Sequence, residues 1–430
     1  MDKALIKDLI VENQEFVESI TVLPRAIKLE KQGNYVFVGL RRAGKTYLMY
    51  QRIRELLNEG MSIREILYIN FEDERLSEIR LSDLSVLLEC YQEMFDHRPV
   101  VFLDEIQLIE GWEKFVRRLA DTGYRVYVTG SNARMLSSEI ATTLGGRFLI
   151  QSVYPYSFSE FLESQGVPVR KNMEYGSTRI KLKKLFATWF HYGGLPEVQR
   201  FDDKRQWLNS LYQKIFFGDL MARYEIRNPL ALKIIVKKMA ESVMSPLSYS
   251  RLANIAASAG VKIGKSTVIE YVDHLLETWI AFAVSNIAAK LAEKESNRKF
   301  YFCDNGILNL FLFKPETRLL ENMAACALKR LYGDDLYFYN RNVEVDFYIP
   351  SEQWAIQVSY SLSDMDTEKR ETLALMKFSR FMPAKRLSII TYDEERTIDM
   401  EDITIEVIPA WKWMLSIEGR ERIHTAVTVP

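Results

Sequence analysis

The chain has 430 residues, 48% hydrophobic and 27% charged, a mix that can bury large cores and suggests roughly two to four domains. Its 57 Lys and Arg face 58 Asp and Glu, for a net charge of −1, which excludes a chain-wide field for nucleic acid or anionic membrane and leaves only local basic surface. Cys90, Cys303 and Cys326 lack metal-ligand spacing and fit free thiols in a reducing compartment.

Residues 1–33 read as an amphipathic helix and a linker. Leu5, Ile6, Leu9, Ile10 and Phe16 form one face, expected to pack on the domain that follows. The opening stretch is charged throughout, so no signal peptide is expected, and no apolar run reaches the ~20 residues of a membrane span. A cytoplasmic protein with no membrane partner is the expectation.

Residues 34–152 alternate strand and helix, the pattern of a parallel α/β sheet. Asn34–Val38 is a short apolar strand. It runs into Gly39, Leu40, Arg41, Arg42, Ala43, Gly44, Lys45 and Thr46, which match G-x-x-x-x-G-K-[ST], and a helical pattern follows over Tyr47–Leu57. Strand, glycine turn and helix are what phosphate binding requires. The glycines let successive N–H groups point inward, and the helix N-terminus adds partial positive charge. Lys45 is expected on the β- and γ-phosphates of ATP, and Thr46 on magnesium.

Further strands are expected at Ile66–Phe71, Val100–Leu103, Arg125–Thr129 and Phe148–Ile150. The third ends in Asp104 and Glu105, two carboxylates at the sheet edge where ligands bind in such folds. Asp104 is expected to hold magnesium and Glu105 to act as general base on water. Ser131 and Asn132 follow the fourth strand and are candidates for the γ-phosphate or the water. Asn132 is equally suited to cap the next helix. Asn70, ending the second strand, is a candidate to hold Glu105 in an inactive rotamer.

The stretches GLRRAGKT, NFEDERL (Asn70–Leu76), VVFLDEIQLIEGWEKFVRRLAD (Val100–Asp121), VTGSNARML (Val128–Leu136) and LGGRF (Leu144–Phe148) resemble one AAA-type ATPase family of bacteria and archaea. In that family a domain of unknown function follows the ATPase module. HYGGLPEV (His191–Val198), KFYFCDNGI (Lys299–Ile307), LLENMAA (Leu319–Ala325), EVDF (Glu344–Phe347) and VIPAWKWML (Val407–Leu415) resemble that second domain. The resemblance implies an ATPase using ATP and magnesium. It also implies that Arg147 is the finger that reaches a neighbouring subunit's γ-phosphate in a homo-oligomer. A surface arginine at a helix end is the plainer alternative.

Residues 153–205 are mostly helical and are expected as a small lid. Residues 206–295 contain helix, glycine-bounded turn and helix over Tyr249–Glu277, with Ser266 capping the second helix. Ala281–Val284 could then start a wing, giving a winged-helix-like region. Lys265, Ser266 and Thr267 favour DNA as a partner, while Glu270, Asp273 and Glu277 favour packing or a protein partner. Residues 296–415 resemble a restriction-endonuclease-like fold whose active members carry Asp, then Glu-x-Lys on the next strand. Asp346 is present, but Gln357 and Ser359 stand at the Glu and Lys positions. Glu321 matches a helix acid of that fold and Lys369 is a remote substitute for the lysine. A degenerate nuclease domain is expected, then a short tail over 416–430.

The function expected is therefore magnesium-dependent ATP hydrolysis that rearranges the C-terminal domains. An ATP-gated nucleic-acid-binding regulator is the alternative, and an ATP-dependent nuclease a third.

Overall fold

The computed structural model describes residues 2–130, 142–170, 173, 175–400 and 403–427, with side chains described as far as residue 419. The chain divides into two compact units: Met1–Tyr154 with Glu277–Trp279, and Pro155–Leu276 with Ile280–Pro430. Among the described residues no helix is long and apolar enough to cross a membrane.

The first unit is built on five strands: β1 (Asn34–Val38), β2 (Ile66–Asn70), β3 (Val100–Asp104), β4 (Val126–Gly130) and β5 (Phe148–Ser152). They pair in the order β2-β3-β4-β1-β5, every pair parallel. The first four read as unbroken apolar runs because helices cover both sheet faces, leaving little room for a polar alternation. Edge strand β5 differs, with Leu149 and Ile150 each 47% exposed.

Helix α1 (Lys3–Ser19) closes the other edge. Its Asn13 and Gln14 amides donate to the Tyr68 and Ile66 carbonyls of β2, groups that an open edge would leave to solvent. Ile6, Leu9 and Ile10 join the first unit's core, as expected. Phe16 does not: it is 50% exposed and Val17 is the buried residue instead. Helix α2 (Lys45–Asn58) follows the glycine loop, and α3 (Leu84–Met94) and α4 (Trp112–Asp121) complete the layers.

The second unit holds one nine-stranded mixed sheet. Its strands are β6 (Leu247–Ser248), β7 (Ala281–Asn286), β8 (Asn297–Phe302), β9 (Tyr337–Asn340), β10 (Glu344–Ile349), β11 (Trp354–Val358), β12 (Arg386–Thr391), β13 (Arg396–Met400) and β14 (Ile403–Pro409). Helices Tyr249–Ser258 and Lys265–Glu277 are followed by the antiparallel pair β7–β8. Ser266 lies inside the second helix rather than capping it. Strand β7 also pairs in parallel with β9, so one sheet runs through position 295, where the sequence suggests a division.

Of residues 153–205, expected as a lid, those from Pro155 on are tied into this second unit. The Gly194 N–H donates to Asp304 at 2.8 Å, and the Asn305 amide donates to the Phe190 carbonyl at 3.0 Å, so two of the quoted motifs lock each other. Residues 416–430 do not begin as a tail, since a final helix spans Ala410–Val427. Its buried Glu418 accepts from the N–H groups of Phe158 and Ser159 at 2.9 and 2.8 Å, capping the helix Phe158–Ser164.

Candidate functional site

Strand β1 enters the loop through Gly39, whose backbone passes so close to Val153 that an added Cβ would lie 2.1 Å from the Val153 carbonyl oxygen. The loop curls through Arg42 (φ 65°) and Gly44 (φ 99°), both left-handed, and α2 starts at Lys45. These turns bring the N–H groups of a glycine-rich loop to a helix N-terminus, the arrangement that cradles an anion. Lys45 is buried, and its Nζ donates to the carbonyls of Gly39 and Leu40 at 3.2 Å each. The ammonium is thus held over the loop by its own backbone. Arg41 pairs with Glu72, and Arg42 is exposed.

Thr46 bonds the side chain of Asp104. Asp104 is 1% exposed at the end of β3 and also accepts from Thr129 Oγ1 and, at 3.0 Å, from the Tyr68 hydroxyl. Burial and then the neighbouring Glu105 charge lift its carboxyl to about 6, against these three bonds. A dehydrated carboxylate beside a helix-start threonine suits a cation, so Thr46 and Asp104 fit a magnesium ion.

Glu105 follows in a left-handed conformation (φ 54°), which turns the chain and sets its carboxylate on a different path from that of Asp104. Its N–H donates to Thr129 Oγ1 at 2.9 Å. Thr129 therefore braces both acids at once, receiving from one backbone and donating to the other side chain. Sequence reasoning passed over it in favour of Ser131 and Asn132, which lie outside the described residues. Its place comes from register: Leu103 pairs with Val128, so the next residue on β4 stands beside Asp104.

The hold on Glu105 also differs from expectation. Asn70 lies beside Asp104 in the β2–β3 register, but its Oδ1 accepts from the Glu72 N–H. A group donating to the Glu105 carboxylate is the side-chain amide of Gln107, two residues along the same loop.

Arg147 is not brought to this loop. It precedes β5, whose Phe148 pairs with Asn34 at the start of β1, and its carbonyl accepts from the Asn34 amide at 3.1 Å. The five residues of β1 separate it from the glycine loop, roughly 17 Å at the rise of a strand. Its guanidinium is 45% exposed and paired with Asp121.

In the second unit Asp346, Gln357 and Ser359 line a cavity of about 630 Å³ together with Glu344, Arg370 and Glu371, while Glu321 and Lys369 are not on its wall. Gln357 is fully engaged in structure. Its Oε1 accepts from the Asp346 N–H at 2.8 Å, and its Nε2 donates to Glu371 at 2.8 Å and to the Glu344 carbonyl at 3.3 Å. Asp346 Oδ2 accepts from the Val358 N–H at 3.0 Å. Ser359 bonds the Ser361 carbonyl, and Lys369 is exposed. Glu371 and Lys299 were both missed from the sequence. Among the described residues no group of three His, Cys, Asp or Glu is arranged to hold a metal ion.

Residues 31–162 match a family model described as an AAA domain, and residues 183–317 match a domain of unknown function (DUF8612). Uncharacterized protein MJ1544 of Methanocaldococcus jannaschii is 33% identical over 433 residues, 96% of each chain. An uncharacterized protein of Haemophilus influenzae is 28% identical, over 88% of this chain and 94% of that one. Among solved structures, the Walker-type ATPase PABY2304 of Pyrococcus abyssi aligns with a TM-score of 0.39 and 14% identity, over 72% of this chain and 95% of that one. AMPPCP-bound DnaA of Aquifex aeolicus aligns with a TM-score of 0.25 and 14% identity, over 63% and 88%. Structural likenesses at these scores carry no argument about the site.

Proposed function

We propose, for a chain that belongs to the AAA-type P-loop ATPase family with a following domain of unknown function, that it hydrolyses ATP and uses the cycle to rearrange its second unit. The observation that carries this is the convergence of Thr46, Asp104, Thr129 and Glu105 at the carboxyl edge of one parallel sheet.

In this reading the N–H groups from Gly39 to Gly44 cradle the phosphates. Lys45 exchanges its two loop carbonyls for the β- and γ-phosphate oxygens, a stronger, charge-assisted pairing. Thr46 and Asp104 would hold magnesium, whose contribution when bound is to neutralise charge building on the phosphate oxygens. Thr129 keeps Asp104 fixed and, through the Glu105 N–H, sets the position from which Glu105 takes a proton from water.

Gln107 restrains that base until a partner or nucleotide shifts the loop. A hydrogen bond to a charged group contributes about 1.5–3 kcal/mol, so Gln107→Ala should raise basal turnover by roughly tenfold or more. Steady-state rates of the variant check this. A fall in rate would mean that Gln107 orients the base for reaction instead of restraining it.

DNA contact is the weaker reading. The exposed side of the helix Lys265–Glu277 carries Glu270 and Asp273 along with Lys265, and the two acids repel phosphate. ATP turnover measured without polymer and with single- and double-stranded DNA tests the proposal. Turnover of the free protein supports an ATPase acting on its own domains. ATP binding without turnover under every condition supports a nucleotide-gated regulator.

A further inference from the structure

We propose that Lys299 is a resident cation buried behind the Glu344 and Asp346 wall of the second unit's cavity, an ammonium seated where converging carboxylates would otherwise hold a divalent metal. Three acids from two elements meet on its Nζ. Glu321, from the helix Glu316–Tyr332, lies at 3.4 Å, and Glu344 and Asp346 of β10 lie at 3.2 Å each. The lysine side chain is 0% exposed. The Phe338 ring faces it at 5.5 Å from its centroid, closing a further side with a π-face.

The cluster is more than a set of neighbouring acids. Glu321 is 1% exposed, accepts from the Tyr301 hydroxyl at 2.7 Å through Oε1, and its Oε2 has no hydrogen-bond partner. A buried carboxylate oxygen without a donor is costly unless a positive charge stands close by. Lys299 supplies that charge. Burial opposes the ammonium, but Glu321, Asp346 and Glu344 outweigh it and hold the group above lysine's ordinary range. Burial also pushes the Glu321 carboxyl upward, while the Lys299 ammonium and the Tyr301 hydroxyl favour its charged form.

The spacing explains why these residues form no metal cage as they stand. Oxygens at 3.2–3.4 Å suit N–H donors, whereas magnesium or manganese needs oxygen at about 2.1 Å, roughly 1 Å closer. With a fixed internal cation the cavity keeps its shape without metal. Arg370, Lys377, Ser359 and Glu371 line the cavity together with Glu344 and Asp346. The inference stands apart from the ATPase reading and concerns different residues.

The test is Mn²⁺ binding to the full, nucleotide-free chain, followed by electron paramagnetic resonance. Wild type and Asp346→Asn should titrate identically. Lys299→Met keeps the apolar stem and removes the charge, so it should gain one bound Mn²⁺ per chain, at least tenfold tighter than wild type at that stoichiometry. Adding Asp346→Asn should abolish the gain, and Mn²⁺ should raise the Tm of Lys299→Met alone. A folded Lys299→Met that titrates like wild type would overturn the proposal. If that variant fails to fold, the comparison of wild type with Asp346→Asn still decides. Equal titrations support a filled site, and a lost Mn²⁺ shows that metal already binds there.

Discussion

Lys45→Ala is expected to lose ATP affinity by about 30-fold or more. Truncating one member of a buried charge pair costs about 2–5 kcal/mol, and each 1.4 kcal/mol is tenfold in affinity. The side chain is buried, with its Nζ held by the Gly39 and Leu40 carbonyls at the mouth of the loop. The variant should therefore lose the cation that would face the phosphates. Fluorescent-nucleotide titration checks the effect, with circular dichroism to show that β1 and α2 remain folded. Unchanged affinity would remove the glycine loop from any nucleotide role.

Arg147→Ala is expected to reduce turnover by on the order of a thousandfold while leaving ATP binding intact, the range reported for arginine fingers. The geometry sharpens this into a statement about assembly. Arg147 sits at the amino edge of its own sheet while the glycine loop sits at the carboxyl edge. Its partner in the isolated chain is Asp121, a pairing that a neighbour's phosphate would have to displace. Specific activity should then rise with protein concentration. Mixing Arg147→Ala, which has an intact loop, with Lys45→Ala, which has an intact arginine, should restore part of the activity. Co-assembled mixtures with no rescue would assign Arg147 a structural role at the Asp121 pair.

The first unit was legible because its signals are local. A glycine loop between an apolar strand and a helix names its own chemistry, and Asp104 and Glu105 end a strand whose apolar run is unmistakable. Thr129 and Gln107 were harder. Thr129 matters through register with β3, a pairing between distant segments, and Gln107 matters because the left-handed turn at Glu105 folds the loop back on itself. Phe16 was misplaced for a related reason. Helical spacing admits either Phe16 or Val17 on the buried side, and Val17 is the one that is buried.

In the second unit the sequence marked Asp346, Gln357, Ser359 and Glu321, and the first three line one cavity. It gave no sign that Lys299 ends up among the acids, because that lysine reads as the last of three polar residues, Asn297 to Lys299, ahead of an aromatic run. Glu371 was hidden by its helix, where a single acid is ordinary. The sheet that runs through residue 295 depends on β7 pairing with β9, another long-range contact that no local pattern encodes. The final helix was cut short in the reading because the apolar pattern fades after Leu415, although Glu418 is buried as a cap.

Single-turnover hydrolysis of protein-bound ATP, in wild type and in Glu105→Gln, tests the central claim most directly. The amide keeps the size of the side chain and its contact with the Gln107 region but cannot accept the water proton. Wild type should release phosphate from bound ATP in the presence of magnesium. Glu105→Gln should bind ATP with unchanged affinity and release phosphate about 10²- to 10⁴-fold more slowly, the share a positioned general base contributes. Equal rates in the two proteins, or no phosphate release from wild type in any assembly state, would contradict the account.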